Sequence, residues 1–440
     1  MQDRMTDIAK QVEAYMEEHR QQLIALTQEL VRVPSVAVTV EQEQCQEIMA
    51  QALEAAGAQV DRWIPDWEQV KRFCYPNTGE TIYQSVELRS PEYLQVRDKV
   101  SVVAGTFQGK TPGKTLLFNG HIDAAGLGNL EEWTKDPWGA EIVDGKLYGR
   151  ASADQKGGVA ASLFGVMAAR AVMPDLPGTI HFVVTPEEET GGNGTAASIA
   201  RGYQADAAIF TDISNNEIVI SNSGMQNFEI TIQGGANGMW DADYDVSAAE
   251  LMAYVIQRIH AFAKERDQHA REIYGFAAHE TAACINPGLI ECGEWLATIP
   301  RKARIKGLMA VLPDDDLIQL REDFTKRISD PNGVPFFAEN PPQIFFGSGK
   351  EGCATSAEAD IVLAAKQGMQ LVSQKQVRPK YGCVCSDMTF YPSMFQTPSI
   401  LFGPGSVLHC PDEYLEIDQL VEIAKAYAMT TILFLQNNGC

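Results

Sequence analysis

Apolar residues Ile8, Val12, Tyr15, Leu23, Leu26 and Leu30 recur at three- and four-residue steps and stop before Pro34. That spacing predicts an amphipathic helix over the first thirty residues. A second helix is predicted from Glu41 to Ala56, ended by Gly57. Residues 64–98 are polar and carry Pro65, Pro76, Asn77 and Pro91, the pattern of a long excursion bordering a site. From Val102 the period shortens. The runs SVVAGTF, TLLFNG, TIHFVVT, AAIFTD and PSILFG read as buried strands, and residues 156–172 and 418–435 read as helices. Strands alternating with helices predict an α/β layered domain with a mixed, mainly parallel sheet.

A different unit lies between Asn222 and about Pro342. FEITIQ alternates as a strand, SAAELMAYVIQRIHAFAKER is a strongly amphipathic helix, ARIKGLMAVLP is a second strand, and DDDLIQLREDFTKRI is a helix opened by acidic residues. This order predicts a self-contained α+β module. The expected organisation is therefore residues 1–221 and 343–440 as the two parts of one domain, with residues 222–342 inserted as a lid or dimerisation domain. The stripe Leu251, Val255, Ile259 and Phe262 fits a dimer contact or packing on the module's own sheet. No internal repeat or low-complexity segment is present.

Composition narrows the choice of function. The 440 residues carry 35 Lys plus Arg against 58 Asp plus Glu, a formal charge of -23. Such a surface repels phosphate backbones and anionic lipid, which argues against nucleic-acid and membrane partners, and it leaves carboxylates available for metal ions. No stretch approaches the ~20 apolar residues that cross a bilayer, and the first residues lack a signal-peptide pattern, so a cytoplasmic location is expected. The nine Cys have no paired spacing and read mostly as reduced core residues; Cys383 and Cys385 read as strand neighbours rather than as a zinc or redox site.

Five segments carry candidate chemistry: NGHIDAAG, GRASADQKGG, TPEEETGG, FTDIS and FGPGSVLHCPDE. Each places a His or a carboxylate at or just past a strand end, the edge where open α/β sheets bind ligands. Singly, His121 suits a turn, Asp154 a helix cap, and Glu187 to Glu189 a solvated loop. Together they offer two imidazoles and several carboxylates, a ligand set suited to Zn, Mn or Co. His181 reads as a strand histidine of the core and His260 as a helix-face residue. Trp133 and Trp138 suit either the mouth of a site or packing.

These motifs resemble the M20 family of dinuclear metallohydrolases, in the branch of acetylornithine deacetylase and succinyl-diaminopimelate desuccinylase. The matching residues are HxD at His121 and Asp123, GRxxxDxKGG around Asp154, EExGG from Glu188 to Gly192, and GPG…H…E from Gly403 to Glu413. The resemblance implies a layered metallohydrolase domain with an inserted lid. It also implies two divalent ions (Zn, or Mn or Co), one on His121, Asp154 and Asp212 and the other on Asp154, Glu189 and His409. A cis peptide after Asp154 is part of the pattern. Asp123 would orient the His121 imidazole, and Glu188 would be the general base, with Glu187 structural. The implied reaction is cleavage of an amide or related C–N bond of a small-molecule substrate by a metal-bridging hydroxide, and the lid implies a homodimer or higher oligomer.

The lid departs from the pattern. QGGANGMWDADYD lacks the His that reaches a partner's site, Ala297 stands near the expected Asn, and Met309 near the expected Arg that grips a substrate carboxylate. Arg301, Lys302, Arg304 and Lys306 lie nearby, and His269 and His279 elsewhere in the module are candidate replacements for the His. A site without a carboxylate grip selects other substrates. One alternative reading is therefore hydrolysis of a non-peptide C–N bond, such as deamination of an unusual or aromatic amine. A second is a binding protein that keeps the fold without turnover.

Overall fold

The structure is a computed structural model that describes residues 2–70, 95–235, 246–274, 283–374 and 376–437. Its larger sheet has six strands in the order Gln59–Trp63, Val102–Gln108, Thr179–Thr185, Thr115–His121, Ala207–Phe210, Ser399–Leu401. The last four run parallel, and Val102–Gln108 is antiparallel to both of its neighbours. Alternation along each strand divides the core into two layers. Val103, Phe107, Leu116, Phe118, Phe182 and Ile209 share a core with the helices Gln2–Val31, Gly157–Val172, Asp360–Ser373 and Ile417–Gln436. Val102, Ala104, Leu117, Val183, Ala208 and Phe210 share the other with Asn193–Arg201 and Phe390–Phe395. All five strand runs and both long helices expected of this domain are present. Residues 71–94 of the expected polar excursion lie outside the described residues.

The second unit is a four-stranded antiparallel sheet in the order Ile285–Cys292, Lys302–Val311, Gly224–Gln233, Gln343–Lys350. The helices Ala248–Tyr274 and Leu317–Ser329 cover one face of it. Asp316 caps the second helix, its side chain accepting from the Gln319 N–H. The stripe Leu251, Val255, Ile259 and Phe262 is buried against this sheet with Phe228, Ile305 and Phe324, so it is taken up by the unit's own core. The expected boundary at residue 342 falls one strand short, because Gln343–Lys350 pairs with Gly224–Gln233. The unit is tied to the larger domain by the short pairing of Ser221–Asn222 with Cys353–Ala354. Among the described residues no helix is long and apolar enough to cross a membrane, and seven cysteines are free thiols.

Candidate metal centre

The parallel strands deliver the candidate residues to one edge. His121 ends Thr115–His121, the run Glu187 to Glu189 follows Thr179–Thr185, Asp212 follows Ala207–Phe210, and His409 lies on the loop after Ser399–Leu401. All are carboxyl ends, where side chains and main-chain dipoles converge on a ligand. Asp154 arrives from the turn that opens the helix Gly157–Val172, and the Asp154–Gln155 peptide is cis. Two glycines make room. A Cβ on Gly403 would stand 2.2 Å from the Thr211 carbonyl oxygen and 2.4 Å from that of Asp212, and one on Gly192, at φ 82°, would stand 2.1 Å from Asp387 Oδ1. A side chain at Gly403 would move the strand end that carries Asp212, and one at Gly192 would displace Asp387 and Phe390.

Two donor groups form. His121, Asp154 and Asp212 make one and Asp154, Glu189 and His409 the other, each with its ligand atoms within 4.8 Å of one another. Asp154 belongs to both: its Oδ1 lies 3.2 Å from His121 Nε2, and its Oδ2 lies 3.3 Å from His409 Nε2. His409 Nε2 is also 3.2 Å from Glu189 Oε1. Glu188 belongs to neither group, and its Oε2 lies 3.8 Å from His121 Nε2.

The protonation chemistry of the centre fits a cation. His121 Nδ1 lies 3.0 Å from the Asp123 main-chain carbonyl. A carbonyl only accepts, so Nδ1 carries the hydrogen and Nε2 is available as a ligand. Burial opposes a charged His121, but the Asp123 and Asp154 carboxylates outweigh it and hold its pKa well above the usual imidazole value. Hydrogen bonds to Asp154 and Glu189 raise His409 to about 10. Burial and the charge of Asp154 push Asp212 up to about 8. Burial likewise pushes Glu188 well above the usual carboxyl value against the pull of His121, with Asp387 and Asp212 adding to the rise. Protons therefore occupy a pocket whose carboxylates call for positive charge, and two imidazoles with three carboxylates are the donor set of borderline divalent ions.

The expected role of Asp123 is divided. Its main-chain carbonyl takes the His121 N–H, while its carboxylate, 3.4 Å from His121 Nδ1, accepts the main-chain N–H groups of Glu188 and Glu189 at 3.1 Å each. Asp123 thus fixes the histidine and the acidic turn together. Glu187 is buried and accepts from Asn193 Nδ2 at 3.0 Å, as a structural residue does. His181 is half-buried in its strand beside Thr106 and Tyr203. The rings of Trp133 and Trp138 lie against Arg150 and Lys156. In the second unit Met309 is buried in the core, Arg304 and Lys306 both pair with Glu229, and His269 pairs with Asp314. His279 lies outside the described residues.

Sequence reading missed the supports of the centre. Arg150 is buried and its Nη1 lies 2.6 Å from Glu413 Oε2, while Glu413 Oε1 accepts from the N–H groups of Ala153 and Asp154 at 3.2 and 3.3 Å. Burial and the charge of Asp154 push Glu413 up to about 7 despite Arg150. Both residues sit inside the quoted motifs, which was the available signal. Lys350, 3.4 Å from the buried Asp387, adds a cation whose charge acts on Glu188.

The family model described as Peptidase family M20/M25/M40 matches residues 117–432. The chain belongs to the M20 peptidase family. M20 enzymes are metal-dependent hydrolases acting on amide C–N bonds, and this chain is one of them. Among its M20 relatives is an N-formyl-4-amino-5-aminomethyl-2-methylpyrimidine deformylase of Halalkalibacterium halodurans, 27% identical over 95% of each chain. A succinyl-diaminopimelate desuccinylase of Ralstonia nicotianae is 34% identical over 38% of this chain and 36% of its own. The fold matches that of a dinuclear metal-binding M20 peptidase of Bacillus subtilis with a TM-score of 0.63, at 14% identity, over 96% of this chain and 99% of that one.

Proposed function

We propose that this M20 enzyme hydrolyses the amide of an N-acyl amine that carries no carboxylate, at a centre of two divalent ions (Zn, or Mn or Co). His121, Asp154 and Asp212 hold one ion, and Asp154, Glu189 and His409 the other. The observation that carries the reading is the pair of donor groups sharing Asp154 with Glu188 beside them. When bound, the ions supply an activated water and polarise the acyl oxygen. Glu188 takes the water proton on a carboxylate oxygen and returns it to the departing nitrogen, so that amide plus water gives carboxylate plus amine. Asp123 keeps His121 Nε2 and the Glu188 turn in register.

Three facts support a substrate without a carboxylate. Met309 is turned into the core of the second unit, and Arg304 and Lys306 both pair with Glu229, Arg304 also lying 3.9 Å from Glu291. The deformylase relative, similar along nearly the whole chain, acts on an N-formyl aminopyrimidine. The test is the hydrolysis of N-formyl and N-acetyl derivatives of neutral amines, N-acyl amino acids, dipeptides and aryl amines by Zn-, Mn- and Co-loaded protein. The neutral N-acyl amines are expected to lead the N-acyl amino acids in kcat/KM by at least about tenfold, a discrimination typical of one mismatched polar contact. The reverse order overturns the substrate class.

We also read the protein as cytoplasmic and as a homodimer through the second unit. The sheet of that unit exposes Leu289, Leu308 and Phe345, and the hairpin beyond it exposes Trp295 and Leu296. A sedimentation run showing only monomer removes the dimer.

A further inference from the structure

The two donor groups are built on unlike supports. His121, Asp154 and Asp212 are all buried, and two of them sit at strand ends. His409 is 48% exposed, has φ 56°, and lies on a long loop between Leu401 and Tyr414. A half-exposed ligand on such a loop holds its position only if both ends of the loop are anchored, because a free backbone loses conformational entropy whenever the ligand is fixed.

The leading end is anchored by Gly403, pressed on Thr211 and Asp212, and by Gly405, whose N–H donates to Gln419 Oε1 at 3.0 Å. The trailing end is anchored by Asp412, three residues past His409. Asp412 Oδ1 accepts the main-chain N–H groups of Thr134 and Lys135 at 2.9 and 3.0 Å, and Asp412 Oδ2 accepts the Thr134 hydroxyl at 2.5 Å. Its own backbone is held at φ 54°. Three donors from one dipeptide on one carboxylate make a directional joint between segments 277 and 278 residues apart in sequence.

The dipeptide is itself fixed. Trp133 Nε1 donates to the Leu127 carbonyl at 2.9 Å, and its ring lies over the Arg150 guanidinium. Arg150 in turn pairs with Glu413, which accepts from the Asp154 N–H. The path from His409 through Asp412, Trp133, Arg150 and Glu413 thus closes on Asp154, the residue shared by both donor groups. Glu413 anchors the Asp154 turn, whereas the Asp412 carboxylate bonds, among the described residues, to the Thr134–Lys135 dipeptide.

We propose that Asp412 is the positioning residue of the outer ion site, the clasp that presents His409 to an ion shared with Asp154 and Glu189. The proposal rests on the two-ion reading above. Removing the clasp frees the trailing half of the His409 loop and leaves His121, Asp154 and Asp212 in place. Groups that orient a metal ligand are worth about 10–100-fold in metal affinity, so the outer ion weakens by that factor and the inner ion does not.

The experiment is calorimetric titration of Mn²⁺ and Zn²⁺ into the metal-free full-length protein, with metal content after desalting as a second readout. Wild type is compared with Asp412→Ala, Asp412→Asn and Thr134→Val. The expected wild-type result is two ions. Asp412→Ala keeps one ion at wild-type affinity and binds the second at least tenfold more weakly. Asp412→Asn retains an oxygen for the two N–H groups and recovers most of the loss, and Thr134→Val, lacking one donor, falls between. Far-UV circular dichroism of the metal-free variants should match wild type, and Asp412→Ala should melt only slightly lower, since the three lost bonds hold a surface loop and not the core. Two wild-type-strength ions in Asp412→Ala, equal weakening of both ions, or an Asp412→Asn variant no better than Asp412→Ala each overturn the clasp. A wild type that takes up only one ion overturns the two-ion reading and the clasp with it, and so is told apart from failure of the clasp alone.

Discussion

Three consecutive acids with three different surroundings allow Glu→Gln exchange to separate their roles. The amide is nearly isosteric, so each variant removes a charge and a proton-accepting oxygen without opening a cavity. Glu188 is outside both donor groups, 3.8 Å from His121 Nε2, and burial already favours its neutral form. Glu188→Gln should therefore fold and load two ions as wild type does, while kcat falls by about 10²–10⁴, the share of a positioned proton carrier. That loss corresponds to about 3–5 kcal/mol on the barrier. Glu189→Gln removes a carboxylate that faces His409 across the outer group and should lose one ion. Glu187→Gln keeps both ions but weakens a buried bond to Asn193, at a cost of about 1–2 kcal/mol in stability. Each variant is assayed for metal content, denaturant midpoint and turnover of whichever substrate wild type accepts. Glu188→Gln retaining more than a tenth of wild-type kcat, or losing an ion, refutes the assignment of proton transfer to Glu188.

Two further outcomes follow from the charges of the centre. Asp212 near 8 and His409 near 10 both lie above the values of an unfolded chain. The metal-free fold therefore holds these protons more tightly than the unfolded state, and its stability should fall as pH rises through about 8 and then about 10. Metal uptake near pH 7 should release protons and flatten that slope; a metal-free melting temperature unchanged between pH 6.5 and 9.5 contradicts this. Arg150→Met should cost about 3–5 kcal/mol by leaving Glu413 buried without its cation, and Arg150→Met combined with Glu413→Met should cost less. The deficit of the single variant should grow from pH 6 to pH 8, because Glu413 can take a proton at the lower pH. A single-variant loss below about 1 kcal/mol by denaturant titration rules this out.

Much of the fold is written in local periodicity. The runs TLLFNG, TIHFVVT and AAIFTD are short and apolar because they are central strands covered on both faces, and each ends where the chain must leave the sheet. That is why His121, Asp212 and the Glu187 to Glu189 run are legible as strand-end residues from the order of amino acids alone. The strand Ile285–Cys292 was not legible, since Pro287 and Gly288 break its alternation at a register shift between Asn286 and Leu289. Gln343–Lys350 was missed because Gly347 and Gly349 dilute its pattern, and only its pairing with Gly224–Gln233 assigns it to the second unit.

The sequence by itself determined the residue types of the centre, two imidazoles and a set of carboxylates at strand ends, because ligand chemistry and strand length are local properties. What tertiary structure alone decided is which distant partners meet: Arg150 with Glu413, Asp412 with Thr134 and Lys135, Lys350 with Asp387, and Asp123 with the acidic turn at Glu188 and Glu189. Such pairs depend on how loops from separate strands return to the same edge of the sheet. Hydrophobic spacing places the strands, but the closing of loops across 37 to 278 residues is set by the packed sheet and carries no periodic signal in the chain.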